Sequence, residues 1–273
     1  MKVRFAAMLS FFLMSSAVFA GVVFEIETKD HTKSNAEMEK AHIKADGKKL
    51  TMEMPSNARG NDGDMIYRGD NREMLVVNHD DKSFMSIDME AIKALAGQMS
   101  QVMSQMQEAL KNVPESQRAM MEKMMKDKMP KSAGANVPKV EIKKTGKRDK
   151  LNGYPCTRYD VIQEGEKVRE MWVTDWKNVD GGKEAIEVFE DMAAFFEELM
   201  KALSSAGGQG LNQMSKNMFA HMKELDGFPV VTRDFENGEL TTESFLRSSK
   251  KVKIDPADFE PPAGYKRQQM MKR

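Results

Sequence analysis

Methionine is the residue type here with chemistry to explain: the 273-residue chain holds 26 of them. A thioether is a soft ligand suited to Cu(I). It oxidises reversibly to the sulfoxide. It is also a flexible apolar group that re-packs around unlike shapes, as in promiscuous binding surfaces. Met99, Met103 and Met106 recur at helical spacing, as do Met214, Met218 and Met222 beside His221. The same spacing makes an amphipathic stripe, and a sulfur used for packing is not also free to face a metal. The leading expectation is an apolar surface formed by Met99, Met103, Met106, Met121, Met125, Phe189, Phe196, Met200, Met214 and Met218. It would hold a lipid, an acyl chain or an amphipathic protein partner. Copper handling or oxidation buffering is one alternative, and a chaperone-like interaction module is another.

Other reactive groups nominate nothing. His31, His42, His79 and His221 are scattered without the spacing of a zinc pair. The lone Cys156 excludes an internal disulfide framework and every multi-cysteine metal site, and it is expected as a small buried apolar residue. There is no nucleophile elbow and no glycine-rich phosphate loop after a strand. The expectation is a non-enzymatic protein with no catalytic residue, cofactor or metal ligand. Forty-two basic residues against 42 acidic ones exclude a nucleic-acid binder built on bulk charge. Charge is nevertheless segregated: Lys123 to Lys150 has ten basic and three acidic residues, Val179 to Ala202 seven acidic and two basic. The basic stretch, residues 123–150, is a candidate docking patch for an anionic membrane surface or an acidic partner. The bland reading is a pair of solvated faces, or two inserts lying near each other with opposite charge.

The elements that would position these residues follow from periodicity. Lys2 and Arg4, the apolar stretch Phe5 to Phe19 and the small residues at Val18-Phe19-Ala20 read as a signal peptide over residues 1–20, cut after Ala20, with export to the periplasm. Residues 21–273 are expected as one domain. Its first stretch, Gly21 to Ile87, alternates apolar and polar residues and reads as five or six hairpin-connected strands, with Asp46-Gly47 a type I′ turn. From Asp88 the period becomes 3.6, giving a first helical hairpin at about 88–130 whose second arm starts near Pro114. Strands resume at Val140. A second helical insert, at about 182–225, carries Phe189, Met192, Ala193, Phe196, Met200 and Leu203 at three- and four-residue spacing. Strands then return from Val230, through an Asn237-Gly238 turn, to Ile254. The fold class is α+β: a single antiparallel sheet with two inserted amphipathic helical hairpins. Apolar residues on both faces of several strands, such as Val22 and Val23, imply covering on more than one side.

Four stretches carry a resemblance: Leu151 to Val161 (LNGYPCTRYDV), Glu170 to Asp175 (EMWVTD), Gly227 to Val230 (GFPV) and Phe259 to Tyr265 (FEPPAGY). With the segment Pro114 to Met125, they resemble secreted bacterial proteins carrying the domain of unknown function 4412. The resemblance implies a signal peptide and kinship with the periplasmic lipoprotein-carrier fold, a curved half-barrel sheet wrapped around helices with acyl chains in its concavity. It implies no activity, and no residue role transfers from it.

Overall fold

The computed structural model describes residues 21–34, 37–54, 62–111, 140–205 and 225–269. The alternating N-terminal third forms six strands: β1 (Gly21–Asp30), β2 (Glu39–Asp46), β3 (Lys49–Met54), β4 (Gly63–Arg68), β5 (Glu73–Asn78) and β6 (Ser83–Asp88). Helix α1 (Met89–Lys111) follows, then β7 (Val140–Leu151), β8 (Tyr154–Gln163) and β9 (Glu166–Thr174). A 3-10 turn, Trp176–Asn178, leads into helix α2 (Gly182–Ser205), and the chain closes with β10 (Phe228–Glu236), β11 (Glu239–Val252), a second 3-10 turn Pro256–Phe259 and β12 (Lys266–Gln268). Both helical inserts contribute one described helix each. The expected second arms, with Met121, Met125, Met214 and Met218, fall at 112–139 and 206–224, outside the described residues.

Turn chemistry sets the hairpins. Asn152-Gly153, Glu164-Gly165 and Asn237-Gly238 each place two consecutive residues at positive φ, the type I′ geometry that matches strand twist. The expected type I′ turn at Asp46-Gly47 differs. Asp46 pairs with Lys49 as the last rung, and only Gly47 of the two loop residues has positive φ, which is the type II′ pattern.

All twelve strands join one open, curved sheet in the order β12-β6-β5-β4-β3-β2-β1-β11-β10-β9-β8-β7. Two meanders, β1 to β6 and β7 to β11, run inward and outward and meet at the antiparallel seam of β1 with β11. Pairing is antiparallel except at the far edge, where β12 lies parallel to β6.

One face carries the main core. Val22 and Phe24 of β1, Ala45 of β2, Leu50 of β3, Tyr67 of β4 and Leu246 of β11 are buried there against α2. The helix turns Ala185, Val188, Met192, Phe195, Leu199 and Leu203 onto the sheet at three- and four-residue steps. Helix α1 packs through its first turns, where Ile92 and Ala96 are buried, onto β6 and α2. The second face explains the two-sided apolar strands. After β11 the chain crosses it, and Ile254 and Phe259 bury with Ile66, Leu75 and Val77.

Candidate functional site

The 3-10 turn and the start of α2 shape one end of a cavity. Asp175 caps the turn by accepting from the Lys177 amide at 3.0 Å. A Cβ on Gly182 would stand 2.2 Å from the Trp176 carbonyl oxygen, so only glycine lets the helix begin this close to the turn. Trp176 then lies 5.4 Å from Phe228 edge-on and 6.1 Å from Phe189 of α2, while Phe228 stacks on Phe24 at 4.9 Å. Gly227 makes this stack reachable: a Cβ there would meet the Thr174 carbonyl oxygen at 1.9 Å.

Beyond these rings, between the sheet and the start of α2, is an apolar cavity of about 290 Å³. Its floor comes from Ile26 of β1, Ile43 of β2, Met52 of β3, Val230 and Thr232 of β10, and Ser244 and Leu246 of β11, with Trp176 and Phe189 as walls and Leu225 at the rim. Among the described residues of this lining, Thr232 and Ser244 alone bring side-chain oxygens. Its size sits at the small end of ligand pockets, roughly 300–1,000 Å³, and its apolar lining with few polar groups is what such pockets share.

Polar ties hold the helix over the sheet. The Tyr67 hydroxyl donates to Asp191 at 2.7 Å, and burial together with that carboxylate pushes the phenol well above its ordinary range. Glu184 pairs with Lys251 at 2.6 Å and Glu198 with Arg72 at 2.7 Å. Thus two acids of the negative second insert meet basic residues of the sheet and its turns. At the rim, Asp226 accepts from Lys144 at 2.9 Å, and that ammonium holds its carboxyl below the usual range.

Of the residues nominated from sequence, Phe189 lines the cavity. Phe196 and Met200 do not; they are half-buried at the margin of the helix–sheet core, because the buried line of α2 runs through Phe195 and Leu199. Met99, Met103 and Met106 lie on α1. Among the described residues, Met52 is the methionine in the cavity lining. The basic stretch 123–150 divides: residues 140–150 belong to β7, the strand at the sheet's edge, where Lys143, Lys144, Lys147, Arg148 and Lys150 are exposed. Lysines on an edge strand discourage strand addition. Sequence reasoning missed the floor residues and Trp176, since Ile26, Ile43 and Leu246 alternate like any core-facing strand residue. Cys156 is buried, 3.4 Å from the Tyr154 carbonyl oxygen, and burial pushes its thiol up. Among the described residues no group of three or more His, Cys, Asp or Glu side chains is placed to hold a metal ion.

Fold and cavity together define a class: an open, curved, antiparallel-rich sheet carrying, among the described residues, two helices on one face and an apolar cavity beneath one of them. The chain belongs to the family described as Domain of unknown function (DUF4412), whose match covers residues 89–265. The matched region includes both helices, β7 to β11 and, within the cavity, Trp176, Phe189 and Phe228. Its characteristic stretches meet in space: the Thr174 hydroxyl donates to the Pro155 carbonyl at 2.8 Å, and Gly227 abuts Thr174. No curated protein matches the chain. Among solved structures, an uncharacterized conserved protein from Thermus thermophilus is similar with a TM-score of 0.44 at 6% identity, over 92% of this chain and 91% of that one. The structure of PNGF-II is similar with a TM-score of 0.39 at 11% identity, over 92% of this chain and 31% of that chain.

Proposed function

We propose that this is an exported, non-catalytic binding protein that holds the apolar chain of a lipid in the cavity between sheet and α2. The observation that carries the reading is the lining itself: a space of about 290 Å³ among the described residues, whose side chains there bring two hydroxyls and otherwise apolar or aromatic groups. Apolar walls exposed to water in such a space gain from an apolar chain that displaces that water and covers them. Each methylene buried there contributes about 0.8 kcal/mol. In this reading the open sheet serves as a half-barrel cradle and α2 as its wall. Export is supported by the N-terminal pattern of a basic start, an apolar stretch and a cleavage motif ending at Ala20.

Native mass spectrometry of protein purified from the periplasm tests this, together with titration of a fluorescent acyl probe. The expected result is a bound apolar mass, and probe uptake abolished by filling the cavity with Leu246→Trp or Ile43→Trp in protein that keeps its far-UV spectrum. Clean apo protein that also ignores acyl probes would refute it.

A further inference from the structure

The cavity is polarised along its length. On β10 its lining runs Phe228, Val230, Thr232, spanning roughly 13 Å at about 3.3 Å per residue. Phe228 and Val230 are 5% and 0% exposed, while Thr232 is half-buried. The same gradient runs on β11 from Leu246, 1% exposed, to half-buried Ser244. Register places Thr232 opposite Ser244 and Ser244 opposite Thr28, so three hydroxyls form one row across β10, β11 and β1. Thr28 and Ser244, the latter a lining residue, hydrogen-bond at 2.9 Å, which leaves the pair one donor and further acceptor capacity. At the opposite end Phe228, stacked on Phe24 and met edge-on by Trp176, closes the space.

From this gradient, and resting on the lipid-binding reading above, we infer that the ligand is a single-chain amphiphile with an uncharged hydrogen-bonding head, its tail against Trp176 and its head at the Thr232–Ser244–Thr28 row. The charges flanking that row select against an anionic head. Glu39 faces Thr28 in register, and in the next rung Asp234 and Asp30 face Thr242 from its two sides. The cations there are engaged: Arg169 with Asp234 at 2.5 Å and Lys33 with Asp30 at 3.3 Å. A carboxylate head would therefore meet three acids whose facing cations, Arg169 and Lys33, are already paired, Lys33 with Glu39 as well at 4.0 Å. A fatty alcohol or a monoacylglycerol satisfies the hydroxyls without that repulsion.

The test uses quenching of tryptophan fluorescence by brominated 1-dodecanol in the full mature protein. Bromine on the terminal carbon is expected to quench strongly, with the effect lost in Trp176→Phe; bromine on carbon two is expected to quench weakly. Unlabelled 1-dodecanol should bind more tightly than dodecanoate, and each methylene added up to the length of the cavity should tighten binding about fourfold. Thr232→Val and Ser244→Ala should each weaken 1-dodecanol binding about fivefold and leave binding of n-decane unchanged. Equal quenching from both positions, stronger quenching from carbon two, or tighter binding of dodecanoate would overturn the inference while the cavity reading stands. Failure of every chain, n-decane included, to bind would overturn the cavity reading itself.

Discussion

Phe189→Ala tests how the cavity wall is built. The Phe189 side chain is 8% exposed, packs on Trp176 at 6.1 Å between centroids, and turns one flank to the cavity. In a closed core, Phe→Ala costs about 3–5 kcal/mol, from lost transfer free energy plus the void left behind. Here the flank toward the cavity has no contacts to lose, so the expected loss is about 3 kcal/mol. Urea unfolding followed by far-UV circular dichroism should show a lower midpoint with an unchanged slope, which marks a change in stability and not in the surface exposed. The same titration with 1-dodecanol at about a hundred times its dissociation constant should raise wild-type stability by about 2.7 kcal/mol. The enlarged cavity of the variant should shift its preference toward longer or bulkier chains. A loss below about 1 kcal/mol would show that the ring is not packed as described. Unchanged chain preference in the variant would show that the ligand lies elsewhere.

Glu170 supplies a second test. Its side chain is 7% exposed and is reached by Arg158 at 3.1 Å, Arg233 at 3.0 Å, Lys167 at 3.3 Å and the Trp172 indole at 2.9 Å. Glu170→Gln leaves these cations without their shared anion and should cost about 3–5 kcal/mol in chemical denaturation. Burial pushes the Glu170 carboxyl up, but the hydrogen bonds from Trp172, Arg233 and Lys167 outweigh it and hold the carboxyl below its ordinary value. Its stabilisation is therefore complete above the unfolded value of about 4.3 and lost as pH falls through the lower folded value, so wild type should lose stability on acidification more steeply than the variant. The Tyr67 phenol, raised in the folded state, contributes stability that is complete below about pH 10 and lost as pH climbs through its folded value. Spectrophotometric titration compared with Tyr67→Phe should find the Tyr67 phenol un-ionised at about pH 11 until the protein unfolds. Tyr67→Phe should cost about 1–2 kcal/mol in the same unfolding assay. Cys156 should ignore a disulfide reagent at about pH 8 in folded protein and react fully in denaturant; fast labelling of folded protein would contradict its burial.

Local pattern carried much of this fold. The six strands before α1, the change of period at Asp88, the Asn237-Gly238 hairpin and the amphipathic α2 were legible because each depends on residues within a few positions of one another. The seam of β1 with β11 and the parallel β12–β6 pair were not, because strand pairing between residues so distant in the chain leaves no local signature. The Phe259 to Tyr265 stretch stood out in sequence but gave no hint that Phe259 covers the second face of the sheet. For the site, methionine spacing directed attention to the helices, whereas most of the cavity lining is strand residues of ordinary alternation. Among the described residues, Phe189 was common to both.

By itself, the sequence determined the kinds of element, their order, and the family to which the chain belongs, since periodicity, turn residues and short stretches of particular residues are all read locally. Tertiary structure decided that Phe24, Trp176, Phe189 and Phe228 converge, and that Thr28, Ser244 and Thr232 line up at the other end of an unfilled space. The physical reason is that a filled core and a cavity use the same apolar residues at the same spacing. What separates them is whether side chains from distant strands and a helix meet or stop short of one another, and only the assembled packing sets that distance.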